Sequence, residues 1–177
     1  MSRETIKVEP LSAQEYQRLE ACERVSDQKP RRPKLGRFGA EDFIFPLALD
    51  VNYIRNDFQI YPDDLWIVTP PKCGTTWMQE IVWLLHTNAD VSKAQYNQFY
   101  RIPFLELGPL IGHNVPGEKP DFEKTEKNEE NVVRFIKYSM DYVESLKRPR
   151  LIKSHMPLQL LPKKLLETCK VRSKQVF

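Results

Sequence analysis

A chain of 177 residues with an apolar fraction of 41% has room for one domain with a core of its own and not for several. Its net charge of +3 is too mild to argue for nucleic acid as a partner, and no stretch approaches the ~18 to 20 continuous apolar residues of a membrane-spanning helix. Cys22, Cys73 and Cys169 are far apart and odd in number, and the amino terminus at Met1–Glu4 lacks the apolar core of a secretory signal, so a cytoplasmic protein with reduced thiols and no zinc site is expected.

Ser12 and Glu15 form a capping box, with Leu11 and Tyr16 at the staple positions beside it, which predicts a helix. Tyr16, Leu19, Cys22 and Val25 give that helix a narrow apolar stripe, as on a surface. The run Lys29-Pro30-Arg31-Arg32-Pro33-Lys34 cannot continue it. Without interleaved aromatics this run reads as a solvated linker and not as a nucleic-acid patch. Residues 1–39 are therefore expected to form an amino-terminal extension, with the domain proper over 40–177. Phe43-Ile44-Phe45 and Tyr53-Ile54 follow as short apolar pieces bounded by Pro46 and Asn52, suited to cross-strand or core packing.

Leu65-Trp66-Ile67-Val68 reads as a buried strand, Thr69-Pro70-Pro71-Lys72-Cys73-Gly74 as a tight loop, and Thr75-Thr76-Trp77-Met78 as the first turn of a helix. The free N–H groups and positive dipole end of that turn favour an anion in the loop, to which Lys72 adds a charge and Thr75 and Thr76 add hydroxyl donors. The P-loop pattern G-x-x-x-x-G-K-[ST] does not fit, because here the lysine precedes the glycine and two prolines stiffen the entry. An ordinary strand-to-helix connection with Thr75 as N-cap is the alternative. Trp77, Ile81, Leu84 and Leu85 recur at helical spacing, widened by Met78 and Val82, so a largely buried crossover helix on a parallel sheet is predicted.

Arg101-Ile102-Pro103-Phe104-Leu105-Glu106 lies in a proline- and glycine-interrupted region. Residues 118–130 are dense in charge and predict a mobile surface loop. One helix is predicted from Asn131 to Lys147, closed by Arg148-Pro149. A short strand at Arg150–Lys153 would then deliver Lys153, Ser154 and His155 to the sheet edge that carries Lys72, because ligands collect at the carboxyl ends of such strands. An imidazole there titrates near neutral pH and suits a general base, although a histidine at a strand end also serves structure. His86 and His113 have no comparable surroundings in sequence.

Lys72-Cys73-Gly74-Thr75-Thr76-Trp77 resembles the loop with which cytosolic sulfotransferases hold 3′-phosphoadenosine 5′-phosphosulfate, their sulfuryl donor. The family shows Tyr-Pro-Lys-Ser-Gly-Thr-Thr-Trp, and here Pro70 replaces the tyrosine and Cys73 the serine. Arg101–Glu106 is similar to the family's Arg-Val-Pro-Phe-Leu-Glu, and Leu151–Pro157 to its Ile-Lys-Thr-His-Leu-Pro. The resemblance implies that Lys72, Cys73, Gly74, Thr75, Thr76 and Trp77 bind the donor and that His155 is the general base. It further implies that Lys72 and Lys153 assist transfer and that Phe104, Lys153 and His155 meet the acceptor, with Phe43, Phe45 and Tyr100 as further pocket wall.

The fold it implies is α/β, a partial three-layer P-loop-like fold with a parallel sheet, truncated after the second or third strand. The activity it implies is sulfuryl transfer to the hydroxyl of a small phenol, alcohol or steroid-like acceptor, without a metal. The resemblance spans about residues 40–170, and the family's later Arg-Asn-Pro-Lys-Asp turn and Arg-Lys-Gly segment do not follow. A truncated, weakly active or inactive product is therefore expected. A non-catalytic regulatory fragment that associates with an intact homologue through its unpaired sheet edge is the second reading. A magnesium-dependent kinase or NTPase lacks its aspartate and second loop glycine here.

Overall fold

Antiparallel pairing organises the first part of the chain and parallel pairing the rest. The computed structural model describes residues 3–21, 33–111 and 117–169. Cys22, Val25, most of the basic run, His113 and everything from Lys170 lie outside the described residues. Strands β1 (Val8–Pro10), β2 (Leu35–Phe38) and β3 (Phe43–Pro46) form a three-stranded sheet in that order. Phe38 faces both Val8 and Phe43 across it. Burial alternates along β2, so Phe38 points into the core and Arg37 toward its rim. Gly36 is fixed by close approach, since a Cβ there would stand 2.4 Å from the Leu47 side chain and 2.9 Å from the Glu9 carbonyl. Helix α1 (Ala13–Ala21) starts on the predicted capping box: Ser12 N–H donates to Glu15 Oε2 at 2.7 Å, and Arg37 of β2 also binds Glu15.

The second sheet pairs β4 (Leu65–Val68) with β5 (Leu151–Ser154) in parallel, from Leu65 opposite Leu151 to Val68 opposite Ser154. Trp66 and Ile67 point to opposite faces, and both are buried, as in a strand covered on both sides. Phe104 bridges Lys153 in the parallel sense: Lys153 N–H donates to the Pro103 carbonyl at 3.0 Å and Leu105 N–H to the Lys153 carbonyl at 2.9 Å. Residues 103–105 thus line the side of β5 away from β4. Trp66, Ile152 and Leu105 share one core cluster with Phe38, Ile54 and Phe58, so the two sheets meet over common apolar ground. The antiparallel sheet as a whole was not anticipated from sequence, although Phe43-Ile44-Phe45 takes the cross-strand place offered for it, in β3.

Tyr53-Ile54 takes the core-packing alternative, in helix α2 (Val51–Asn56): Asp50 caps it by accepting from Tyr53 N–H at 2.9 Å, and Ile54 is fully buried in the core. Two further expectations are corrected. Helix α3 (Thr75–His86) buries Thr75, Gln79 and Trp83, and leaves Trp77, Ile81 and Leu85 at 79, 49 and 74% exposure. Gln79 faces inward because its amide donates to the Ile102 carbonyl, next to the segment that borders β5. The single helix predicted over 131–147 is two, α6 (Glu129–Lys137) and α7 (Ser139–Ser145). They part at Tyr138, where α5 (Leu107–Ile111) presses in: Gly108 N–H donates to Ser139 Oγ at 2.8 Å, and Ser139 Oγ–H donates to the Leu105 carbonyl at 2.7 Å. A Cβ on Gly108 would come within 2.5 Å of the Lys137 carbonyl. In the charged segment before α6, Phe122 packs its ring against Phe135 and Tyr142 at 5.3 and 5.4 Å between centroids.

Beneath β5, Arg150 and Asp64 form a buried ion pair, at 2% and 0% exposure. Arg150 donates from Nε and Nη2 to the two carboxylate oxygens at 2.9 and 2.5 Å, and from Nη2 to the Gln59 carbonyl at 2.8 Å. Among the described residues no helix is long and apolar enough to cross a membrane.

Candidate functional site

Where β4 ends, the backbone turns sharply before α3. Lys72 at φ 65° and Gly74 at φ 84° both lie in the left-handed region. Glycine adopts this without cost, whereas for a lysine it costs roughly 1–2 kcal/mol. Gly74, not Thr75, is the N-cap, and no side chain caps the helix. The first intrahelical bond is Met78 N–H to the Gly74 carbonyl at 3.1 Å, so the earlier N–H groups of the turn have no intrahelical acceptor and favour an anion in the loop. The Lys72 side chain is exposed, and among the described residues nothing pairs with it. Cys73 Sγ–H donates to the Pro70 carbonyl at 2.8 Å, which tightens the loop from within. Thr75, at 6% exposure, places its hydroxyl 2.5 Å from that of Thr69. Thr76 and Trp77 remain exposed.

The register of β4 and β5 carries Lys153, Ser154 and His155 to the same end of the sheet, and Thr69 N–H donates to the Ser154 carbonyl at 3.2 Å. His155 Nδ1 lies 2.6 Å from the Thr69 carbonyl oxygen. A carbonyl can only accept, so Nδ1 carries the proton and Nε2 is the basic nitrogen. Burial holds the imidazole below its ordinary 6.5, the Thr69 bond opposes this, and the Lys153 charge adds to it. The ring is thus neutral at pH 7, the state a proton acceptor needs.

Phe104 meets His155 edge-on at 5.0 Å between ring centroids, and Lys153 Nζ stands 4.4 Å over the Phe104 ring. Burial lowers the Lys153 pKa, while Glu106 pulls it up. The three residues named for the acceptor side therefore form one cluster. Phe43, Phe45 and Tyr100 serve packing instead. Phe45 meets Phe38 edge-on at 6.2 Å, Phe43 packs on the same core, and Tyr100 of α4 (Gln98–Arg101) stands 5.0 Å from Phe135. Tyr100 O–H donates to the Asn128 carbonyl at 2.8 Å.

Two participants lie in the motifs quoted from the sequence but had no role assigned to them there. Thr69 joins the loop to the imidazole, through its hydroxyl on one side and its carbonyl on the other. Its position just past β4 was the available signal, since strand ends gather function in such sheets. Glu106 is fully buried and accepts the His155 main-chain N–H at 2.6 Å on Oε1. A carboxylate at the end of an apolar run is the corresponding signal in the sequence.

Residues 62–171 match the family described as sulfotransferase domain. Sulfotransferase 1A1 of Canis lupus familiaris is 38% identical over 112 residues, which is 63% of this chain and 30% of that protein. Sulfotransferase 1E1 of Homo sapiens is 35% identical over 116 residues, 64% of this chain and 31% of that protein. Luciferin sulfotransferase of Photinus pyralis is 28% identical over 165 residues, 84% of this chain and 42% of that protein. Among solved structures, retinol dehydratase in complex with retinol and PAP superposes with a TM-score of 0.71 at 18% identity, over 96% of this chain and 51% of that one. Its complex with androsterone and inactive cofactor PAP gives 0.69 at 19%. These likenesses show the fold, and the chain spans about half the length of those structures.

Proposed function

The chain belongs to the sulfotransferase family, and on that premise we propose that it binds 3′-phosphoadenosine 5′-phosphosulfate in the loop at residues 69–77 and sets a small hydroxyl acceptor against His155. The observation that carries this reading is the double contact of Thr69, which couples the start of α3 to the imidazole. The residues present fit the donor's anionic end: a Lys72 that nothing among the described residues pairs with, a left-handed Gly74, and a helix start with no side-chain cap. When bound, the donor supplies the sulfuryl group.

In this reading His155 Nε2 takes the acceptor's hydroxyl proton as its oxygen attacks, and Nδ1–H stays on the Thr69 carbonyl to hold the ring and steady the cation that forms. Lys72 and the first-turn N–H groups of α3 offset the negative charge left on the departing phosphate. Phe104 offers an apolar face to a phenol, alcohol or steroid-like acceptor, and Lys153 holds a positive charge beside it. The PAP, retinol and androsterone in the complexes of the structural neighbours support a nucleotide donor and an apolar acceptor.

Isothermal titration of PAP into the purified chain tests the donor site. Lys72→Ala is expected to weaken binding at least tenfold and His155→Ala to leave it intact. A wild-type chain that ignores PAP at millimolar concentration overturns the reading.

A second reading, a non-catalytic partner of an intact homologue, draws on the exposed Trp77, Ile81 and Leu85 along α3. Co-elution with such a homologue on size exclusion would support it, and independent elution would remove it.

A further inference from the structure

We propose that Glu106 is a positioning residue for His155: its buried carboxyl fixes the main chain just past β5 and so keeps the imidazole on the Thr69 carbonyl. This rests on His155 as the base proposed above.

The geometry begins with a donor that the sheet cannot satisfy. The parallel ladder ends where Thr69 N–H meets the Ser154 carbonyl, and the next donor, His155 N–H, has no strand beside it. Glu106 Oε1 takes that N–H at 2.6 Å. The carboxylate is itself immobilised from both sides. Before it, residues 103 and 105 are bonded to Lys153 of β5, and the Leu105 carbonyl accepts from Ser139 Oγ. After it, Gly108 N–H donates to the same Ser139 Oγ, and Leu110 N–H to the Glu106 carbonyl at 3.2 Å.

The imidazole is therefore held from two directions. Thr69 holds the ring from β4, while Glu106 holds the backbone from the segment that also delivers Phe104 to the ring edge. If the His155 main chain shifts, Nδ1 leaves the Thr69 oxygen, and the preference for a proton on Nδ1 is lost.

Glu106 is an expensive way to bind one N–H, because a buried carboxyl is costly where a main-chain carbonyl would serve. Among the described residues no group stands in hydrogen-bonding geometry to its Oε2. Burial raises this carboxyl to about 7, against the pull of the His155 and Glu106 N–H groups, the Ser154 hydroxyl and the Lys153 charge. A group kept at such cost beside the base has its use in where it places the base.

The test reads the imidazole directly, by long-range ¹H–¹⁵N spectra of the purified chain with labelled histidine. The wild-type ring is expected as the Nδ1–H tautomer. In Glu106→Leu the tautomers mix, with the Nε2–H form rising at least threefold, and His155 amide exchange quickens at least tenfold. Glu106→Gln, whose amide oxygen can accept the same bond, restores both. A wild-type tautomer ratio and amide protection in Glu106→Leu would overturn the proposal, as would a Gln variant no better than the Leu variant.

Should the leucine upset folding, the wild-type chain carries a second measurement. The Glu106 carboxyl carbon and the His155 amide proton are expected to titrate with one midpoint, and separate midpoints would overturn the proposal. None of these readings needs sulfuryl transfer, so failure to bind PAP would count against the proposed function and leave this assignment to its own spectra.

Discussion

Thr69 accepts the Nδ1–H of His155 on its carbonyl at 2.6 Å and turns its hydroxyl to Thr75, so the end of one strand sets both the tautomer of an imidazole and the start of a helix. The carbonyl makes the short contact to the ring, the hydroxyl stands 3.4 Å from the same Nδ1, and mutation tells which of the two atoms sets the tautomer. Thr69→Val removes the hydroxyl and keeps the carbonyl. The expected result is an unchanged His155 tautomer with a stability loss of about 1 kcal/mol in urea unfolding, the usual worth of one such bond. A variant that loses the tautomer would place the control of the ring in the hydroxyl instead.

The imidazole has a pH signature. Its pKa lies below the ordinary 6.5 through burial and Lys153, so the unfolded chain binds the proton first as pH falls. The contribution of His155 to stability is then full above 6.5 and is lost as pH drops through the folded value. A histidine titration by NMR is expected to place the midpoint below 6.5, with Lys153→Met moving it upward. A midpoint at or above 6.5 would refute the electrostatic picture of this site.

Glu106 works in the opposite sense. Burial raises its carboxyl to about 7 from an ordinary 4.5. Its contribution is therefore present below about 4.5 and is lost as pH rises toward 7. Glu106→Gln removes this dependence, and its stability relative to wild type is expected to improve from pH 5 to pH 8 in paired urea melts. A difference that stays flat between those conditions would show that the carboxyl does not titrate in this range.

Two glycines separate conformation from space. At Gly74 an added Cβ meets nothing within 4 Å, but φ is +84°; at Gly108 it meets the Lys137 carbonyl at 2.5 Å. Gly74→Ala is expected to cost roughly 1–2 kcal/mol through backbone strain alone. Gly108→Ala must push α5 off the junction of α6 and α7, at about 1–3 kcal/mol, with lowered protection of the Leu105–Gly108 amides in hydrogen exchange. Equal exchange patterns in the two variants would contradict this division.

The ion pair of Asp64 and Arg150 is a structural joint with both ends desolvated. Asp64→Ala leaves the guanidinium buried and unpaired, and a loss of about 3–5 kcal/mol is expected. Chemical denaturation of this variant decides the matter, and a loss under 1 kcal/mol would mean that water reaches the pair.

The strand, loop and helix from Leu65 to His86 and the strand before His155 were legible in the sequence, because their chemistry is local: apolar runs, two prolines, a glycine and a lysine in fixed order. The antiparallel sheet was not, since strands of three and four residues joined through distant pairings such as Val8 with Phe38 leave no local pattern. On α3, residue type was right for part of the face only: Met78, Val82 and Leu84 pack on the core, whereas Trp77, Ile81 and Leu85 stay exposed while tertiary bonds from Thr69 and Ile102 turn Thr75 and Gln79 inward. Thr69 escaped notice because half of its work is done by a main-chain carbonyl, which every residue possesses.

The exposed Trp77 makes the loop optically addressable. Trp66 and Trp83 are buried at 3 and 6% exposure, while Trp77 stands in water at 79%, in the first turn after Gly74. The red edge of the chain's tryptophan emission therefore belongs to one indole, three residues beyond Gly74. Quenching by iodide, a charged ion kept out of the interior, reports on that indole, and anything that settles against the first turn of α3 announces itself by shielding it.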